Sequence, residues 1–412
     1  MTNVLGIVAE YNPFHNGHLY HLAASKKRAR ADYTVAIISG NFVQRGNVSI
    51  VDKWTKAQMA LACGIDLVIE LPAIHSVSSA ESFAYGAIKI LNSLNIVDYI
   101  SFGAETSDID TLNKFAEVLY KEPSEFKSLL NHELSKGISF PKARENALLM
   151  YLNDIRKYAN VLSSPNNILA IEYLKSLKKL KSPIRPITVK RQGAGYNDLN
   201  TIDKFASATA IREMIKNKNL ADLQKCVPNT TFRTLYDSFK KGHFVKDISA
   251  FDKEILYTLR KMSIKEIKEL PDVSEGLENA IKNAANSCNT VEELINIVKS
   301  KRYTQTRIQR ILICALLNIT KKDIALANKT EPYVRVLGVN NNGKKLLSAI
   351  RAESPRLNII TSVKKFVDTN TNKNIQAMLQ KDFFATDVYT LGYSYDSWAN
   401  LDYTHKLIIS DF

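Results

Sequence analysis

Val4-Leu5-Gly6-Ile7-Val8-Ala9, running into Glu10-Tyr11-Asn12-Pro13-Phe14-His15-Asn16-Gly17-His18, sets the frame for the whole chain. The apolar, β-branched run reads as a buried strand, and the Asn-Pro and Asn-Gly pairs after it read as tight turns. Beyond His18, the pattern Leu19, Leu22, Ala23 followed by Lys26, Lys27 and Arg28 reads as a helix with a basic end. A strand thus delivers two histidines to a loop that opens onto a helix N-terminus. Backbone amides and the helix dipole favour a phosphate at such a point. Imidazoles placed there can donate hydrogen bonds to charge that grows on a phosphorus centre during displacement. The same two rings can equally serve to cap the helix.

A second stretch, Ala206-Ser207-Ala208-Thr209-Ala210-Ile211-Arg212, lies far downstream. Ser207 and Thr209 supply hydroxyls and an N-cap, and Arg212 follows on the first helical turn, so the group can hold the outer phosphates of a triphosphate. Taken alone it is an ordinary capped helix. Beside His15-x-Gly17-His18, where Gly17 leaves the backbone open to a ligand, it resembles the paired signature of the HxGH nucleotidyltransferase superfamily. The resemblance implies attack on the α-phosphate of ATP with loss of pyrophosphate.

A chain of 412 residues has room for two or three domains, and 45% hydrophobic with 24% charged residues is a globular balance. No apolar run is long enough to span a bilayer, and the opening lacks the layout of a signal peptide. Cys63, Cys226, Cys288 and Cys314 are widely spaced, which argues against structural zinc or a disulfide framework and suits a reducing cytoplasm. The net charge of +15 points to a phosphate-rich partner. The cations cluster, one group spanning Lys175 to Arg191 and another Lys299, Lys301, Arg302, Arg307 and Arg310.

Strands are expected at 4–9, 34–39, 67–71, 99–102 and 185–190, with helices at 18–31, 53–63 and 79–94 between them. Ser78-x-x-Glu81 reads as a capping box for the last of these helices. Short apolar strands alternating with helices imply an α/β fold, a Rossmann-like domain with a parallel sheet whose ligand binds at the carboxyl ends of the strands. That domain is expected over 1–240, with a helical insertion near 109–181. Repeated amphipathic helices from about residue 247, among them 252–262, 291–300 and 306–317, predict a mainly α-helical, basic C-terminal domain over 241–412. One short non-helical break is expected near Asn340–Gly343 and Pro355.

Gly40-Asn41-Phe42-Val43-Gln44-Arg45-Gly46 follows the second strand and is expected to line the pocket. Lys53 and Lys56 open the next helix, either reaching that pocket or facing water. Asp66 and Glu70 are too isolated for an acid–base pair, and no histidine spacing suggests a metal site. Lys301-Arg302-Tyr303-Thr304-Gln305-Thr306-Arg307-Ile308-Gln309-Arg310 mixes cations with an aromatic at a helix start. Its cations can contact backbone phosphates and Tyr303 can stack on a base, or the run can be a solvated helix face.

Longer strings carry a more specific resemblance. Gly6 to Leu19, Ser39 to Gly46, Asp66 to Pro72, Phe102-Gly103-Ala104-Glu105, Ser164 to Leu169, Gly193 to Tyr196, Ala206 to Arg212 and Lys301 to Thr304 are similar to the bacterial tRNA(Met) cytidine acetate ligases. The resemblance implies that acetate attacks the α-phosphate of ATP to give acetyl-adenylate. The N4 amine of the wobble cytidine in elongator tRNA(Met) then takes the acetyl group. It implies His15 and His18 as catalytic residues and Mg²⁺ as the ion on the triphosphate. ATP would be bound by the run Ile7-Val8-Ala9-Glu10-Tyr11-Asn12-Pro13-Phe14-His15-Asn16-Gly17-His18-Leu19-Tyr20 together with Gly103, Asn167 (or its neighbour Asn166), Arg191, Gln192, Ser207, Thr209 and Arg212. Lys301, Arg302, Arg307 and Arg310 would bind the tRNA. Two other readings stay open at this point, an adenylyltransferase that makes a nucleotide cofactor and a non-catalytic tRNA-binding protein.

Overall fold

The computed structural model describes residues 2–411 apart from 107, 154–157, 159–160, 163, 192–204 and 275. Its centre is β1 (Val4–Ala9), which pairs in parallel with β2 (Tyr33–Ser39) on one side and β6 (Tyr99–Ala104) on the other. β5 (Leu67–Leu71) extends the sheet beyond β2, and β7 (Arg185–Lys190) extends it beyond β6, all in parallel. The carboxyl ends of these five strands share one edge, where a doubly wound sheet holds its ligands. Helices Asn16–Ala29, Lys53–Ala62 and Ala80–Ser93 make the crossovers. Between β6 and β7 stand Ile109–Lys121, Ser124–Ser135, Phe140–Leu152 and Pro165–Lys179.

The cap of the Ala80–Ser93 helix differs from the expected capping box. Ser79, one residue further on, accepts from the Ser82 amide, while the Ser78 hydroxyl donates back to the Ile74 carbonyl at 2.5 Å.

The late part of the chain is less purely helical than its texture suggests. β8 (Tyr333–Val339) runs antiparallel to β5 and is buried along its whole length. β9 (Asn358–Ile360) and β10 (Ile408–Ile409) pair with β8 in parallel, so the eight-stranded sheet draws on both sides of residue 240. A buried ion cluster locks this junction. Lys53 Nζ meets Glu70 at 2.9 Å and Asp402 at 2.7 Å, and Arg335 of β8 meets Asp402 at 3.1 Å. Removing one member of such a buried cluster costs about 3–5 kcal/mol, because an uncompensated charge stays behind.

The helices after residue 248 form a second core that packs on a small hairpin, β3 (Phe42–Val43) with β4 (Asn47–Val48). Phe42 lies 6.2 Å from Phe251 and 6.1 Å from Tyr389, ring centre to ring centre. The loop that leaves β2 is therefore the seam between the sheet and the helical body.

Candidate active site

The histidine loop is built on buried aromatics. Phe14 is fully buried, Tyr11 packs on it at 4.7 Å, and the His18 ring sits 5.0 Å from Tyr11 and 5.5 Å from Phe14. His15 is the N-cap of the Asn16–Ala29 helix, and its Nδ1 accepts from the Gly17 amide at 3.0 Å. His18 closes the box, its Nδ1 accepting from the His15 amide at 3.2 Å, and the two rings stack at 3.7 Å. Gly17 is required here, since a Cβ would stand 2.9 Å from His15 Cε1.

Two consequences follow. An Nδ1 that accepts leaves the proton of the neutral ring on Nε2, so each imidazole is a donor through its outer nitrogen. Burial, reinforced by Arg191 and Arg212, pushes the His15 pKa down to about 3. Burial with His15 and Arg191 holds His18 well below its ordinary value too. These are neutral donors rather than cations. Because the rings already occupy two amides at the helix start, a phosphate here meets ring Nε2–H groups and arginines more than bare backbone.

The cavity in front of the loop has a volume of about 610 Å³. Within the run 7–20, every residue except Pro13, Phe14, Asn16 and Leu19 lines it, as do Gly103, Arg191, Ser207, Thr209 and Arg212. Phe14 supports the loop from beneath, Asn16 donates to the Lys225 carbonyl, and Leu19 is exposed. Ser207 caps the Ala208–Lys216 helix by accepting from the Ala210 amide. Arg212 donates to the Asn12 carbonyl at 3.2 Å and to Thr209 Oγ1 at 3.1 Å, which ties the two sequence motifs together. Gln192 and the 193–196 glycine loop lie outside the described residues.

The two neighbouring asparagines divide their tasks. Asn166 lines the cavity and donates to Glu105 at 2.6 Å. Asn167 is buried behind it and accepts from the Glu105 and Thr106 amides. Neither lysine of the Lys53–Ala62 helix lines the cavity or faces water. Lys53 belongs to the ion cluster. Lys56 Nζ donates beneath the pocket loops, to the carbonyls of Glu10 (3.0 Å), Ser39 (2.7 Å) and Gly40 (2.7 Å) and to Ser49 Oγ (2.8 Å). Burial brings the Lys56 pKa down to about 7, against the pull of Glu10, Glu70 and Asp52.

The lining residues that sequence reading missed include Gln305, Thr306 and Gln309, at the start of the Gln305–Leu316 helix. Gln44 and Arg45 line the facing wall, and Gly46 beside them packs on this helix so closely that a Cβ would fall 2.2 Å from the Arg310 amide nitrogen. The basic run reaches the cavity mouth through these contacts. Lys301 and Arg302, at the start of the run, are exposed. Arg307 donates to the Asp272 carbonyl and Ser274, and Arg310 pairs with the Asp272 carboxylate at 2.8 Å.

Among the described residues, no three His, Cys, Asp or Glu side chains converge as a metal cage. Among the described residues Glu10 is the one carboxylate lining the cavity, and its Oε1 accepts from the Gln44 amide at 3.0 Å. All four cysteines are free thiols. No described helix is long and apolar enough to cross a membrane.

A parallel sheet with a His-x-Gly-His loop at its carboxyl edge and a capped Arg-bearing helix across the cavity defines a nucleotidyl transferase. A family model described as HIGH Nucleotidyl Transferase matches residues 2–402. A protein of Thermoanaerobacter sp. strain X514, called tRNA(Met) cytidine acetate ligase, is 50% identical over 405 residues, covering 98% of this chain and 99% of its own. A protein of the same name from Acetivibrio thermocellus is 42% identical over 414 residues, with the same coverage. Crystal structures of Thermotoga maritima TmcAL, 32% identical and covered fully in both directions, superpose with TM-scores of 0.95 in an apo form and 0.93 with alpha-thio ATP bound. The chain belongs to the tRNA(Met) cytidine acetate ligase family.

Proposed function

We propose that the chain joins acetate to the N4 amine of the wobble cytidine of elongator tRNA(Met), with ATP as the activating substrate. An acetate oxygen attacks the α-phosphorus, a new P–O bond forms and pyrophosphate leaves. The His15 and His18 Nε2–H groups stabilise the charge that accumulates on the α-phosphate oxygens, a contribution that depends on donors fixed in advance. Arg212 and Arg191 take the outer phosphates. The N4 lone pair then attacks the acetyl carbonyl carbon, the C–N bond forms, AMP departs with the electrons of the broken C–O bond, and the proton lost from N4 passes to solvent.

Glu10, the one carboxylate among the described lining residues, suits Mg²⁺ carried in by the triphosphate and its waters. When bound, it neutralises charge on the departing pyrophosphate. We place the reaction in the cytoplasm, where four free thiols stay reduced and tRNA is at hand. The cations of Lys301 and Arg302 and the wider 241–412 region supply the tRNA-binding surface.

One observation carries this reading. A single cavity is lined by the histidine loop and by the start of the helix that carries the basic run, so an activated acyl group and an RNA base can meet there. The test is transfer of labelled acetate to an unmodified elongator tRNA(Met) transcript with ATP and Mg²⁺. Label on cytidine N4 only when ATP is present is the expected result. Pyrophosphate release that ignores both acetate and tRNA would redirect the site to cofactor synthesis.

A further inference from the structure

Among the described residues the cavity is lined by six carboxamide side chains, and their hydrogen bonding separates them into two groups. Asn12 is fully engaged, donating to the Val48 carbonyl and accepting from the Ile50 amide. Gln44 donates to the Ser78 carbonyl, Asn47 accepts from the Val48 amide, and Asn166 donates to Glu105. Gln305 and Gln309 differ, since among the described residues neither side chain makes a hydrogen bond. Four residues apart in one helix, they stand on the same face, one turn from each other. Gln309 is part-buried and Gln305 is exposed.

A carboxamide presents a donor and an acceptor side by side. That matches the Watson–Crick edge of cytosine, where the N4 amine donates and N3 accepts, as Gln and Asn match adenine elsewhere. RNA bases in loops are commonly splayed out and held by this edge. The helix is also fixed in place, because the Gly46 backbone lies directly against Gln309 and Arg310. A side chain on so firm a support can orient a nucleophile at little entropic cost. Resting on the acetate ligase reading above, we propose that Gln309, with the more exposed Gln305 one turn before it, binds the edge of the target cytosine and aims N4 at the acetyl carbonyl. Gln309 Oε1 accepts from one N4–H, and its Nε2 donates to N3. The amine's lone pair is left facing the acyl group.

The test compares wild type with Gln309→Ala on two elongator tRNA(Met) transcripts, one with cytidine and one with 3-deazacytidine at the wobble position. The readout is acetyl transferred per acetyl-adenylate formed, which separates this role from nucleotide binding. On cytidine the ratio should fall about tenfold, the scale of losing well-placed hydrogen bonds. On 3-deazacytidine, which lacks the N3 acceptor, the gap between the two proteins should shrink to less than about threefold, as coupling within a cycle requires. Equal loss on both transcripts, no loss on either, or adenylation falling in step with transfer would each overturn the assignment. A wild-type chain that adenylates acetate yet never labels tRNA would instead overturn the acetate ligase reading, and this inference with it.

Discussion

Replacing Gly46 with alanine probes the joint between the pocket loop and the helix behind it. Gly46 has φ +70, and its missing Cβ would fall 2.2 Å from Arg310 N, 2.4 Å from the Gln309 carbonyl carbon and 2.8 Å from Arg310 Cα. All three are backbone atoms, so no rotamer change relieves the contact. Since unstrained heavy atoms sit about 3.5 Å apart, loop and helix must part by about 1 Å. The left-handed backbone costs about 1–2 kcal/mol for a residue with a side chain, and overpacking adds about 1–3 kcal/mol. Gly137 provides the reference, with φ +71 and nothing within 4 Å of its Cβ position. Equilibrium urea unfolding of Gly46→Ala and Gly137→Ala should therefore differ by the overpacking part alone, with Gly46→Ala the weaker. Acetyl transfer per adenylate should also drop only in Gly46→Ala, because Gln305 and Gln309 move with the helix. Equal destabilisation of the two variants, with transfer intact, would refute a rigid joint.

His15 and His75 are both buried, with pKa values pushed down to about 3 and about 4 from 6.5, chiefly by desolvation. The unfolded chain therefore binds more protons below pH 6.5, and stability falls as pH drops from there towards 4. The two together give a loss of about 4 kcal/mol by pH 5, visible as a falling melting temperature, and almost no slope from these groups above about pH 8. Lys56→Met leaves four buried oxygens without their donor and should cost about 3 kcal/mol or more. Its KM for ATP should rise, because the loops after β1 and β2 lose their common anchor. Arg302→Glu should weaken tRNA binding and flatten its salt dependence while ATP binding is unchanged. A filter-binding series over salt concentration measures both, and an unchanged slope would remove Arg302 from the interface.

The parallel half of the sheet was legible because each strand is an apolar run next to a helical pattern. Leu67–Leu71 and Arg185–Lys190 fall where the sequence puts them. β8 was hidden by Arg335 in its middle, a charge that reads as exposure until Asp402, 67 positions further along the sequence, is seen to neutralise it. The histidine loop and the Ser207–Arg212 helix were legible as motifs, but not the bond from Arg212 to the Asn12 carbonyl that joins them. Lys56 was ambiguous because a lysine at a helix start is ordinarily solvated, and no local pattern announces three distant carbonyls. Gln305 and Gln309 lie within the basic run, where the cations carry the pattern and the amides give no signal of their own. Their place in the cavity depends on the packing of two cores.

The choice between capping and chemistry for His15 dissolves in the geometry. Its Nδ1 accepts from the Gly17 amide, which is the work of an N-cap, and that bond places the proton on Nε2. Asparagine or serine caps as well as histidine does, but neither carries a second nitrogen to present on the far side. His15→Asn separates the two roles. The shorter side chain can still accept from the helix start, so thermal stability should stay within about 1 kcal/mol of wild type, the scale of exchanging one good cap for another. Acetate-dependent pyrophosphate release should nonetheless fall by about 100-fold or more, as expected for losing a fixed donor to a developing oxyanion. A variant that keeps its adenylation rate would show that the ring is only a cap. Loss of stability and activity together would show that the Nδ1 bond is irreplaceable, and His15→Gln would then have to be read before Nε2 is given the chemistry.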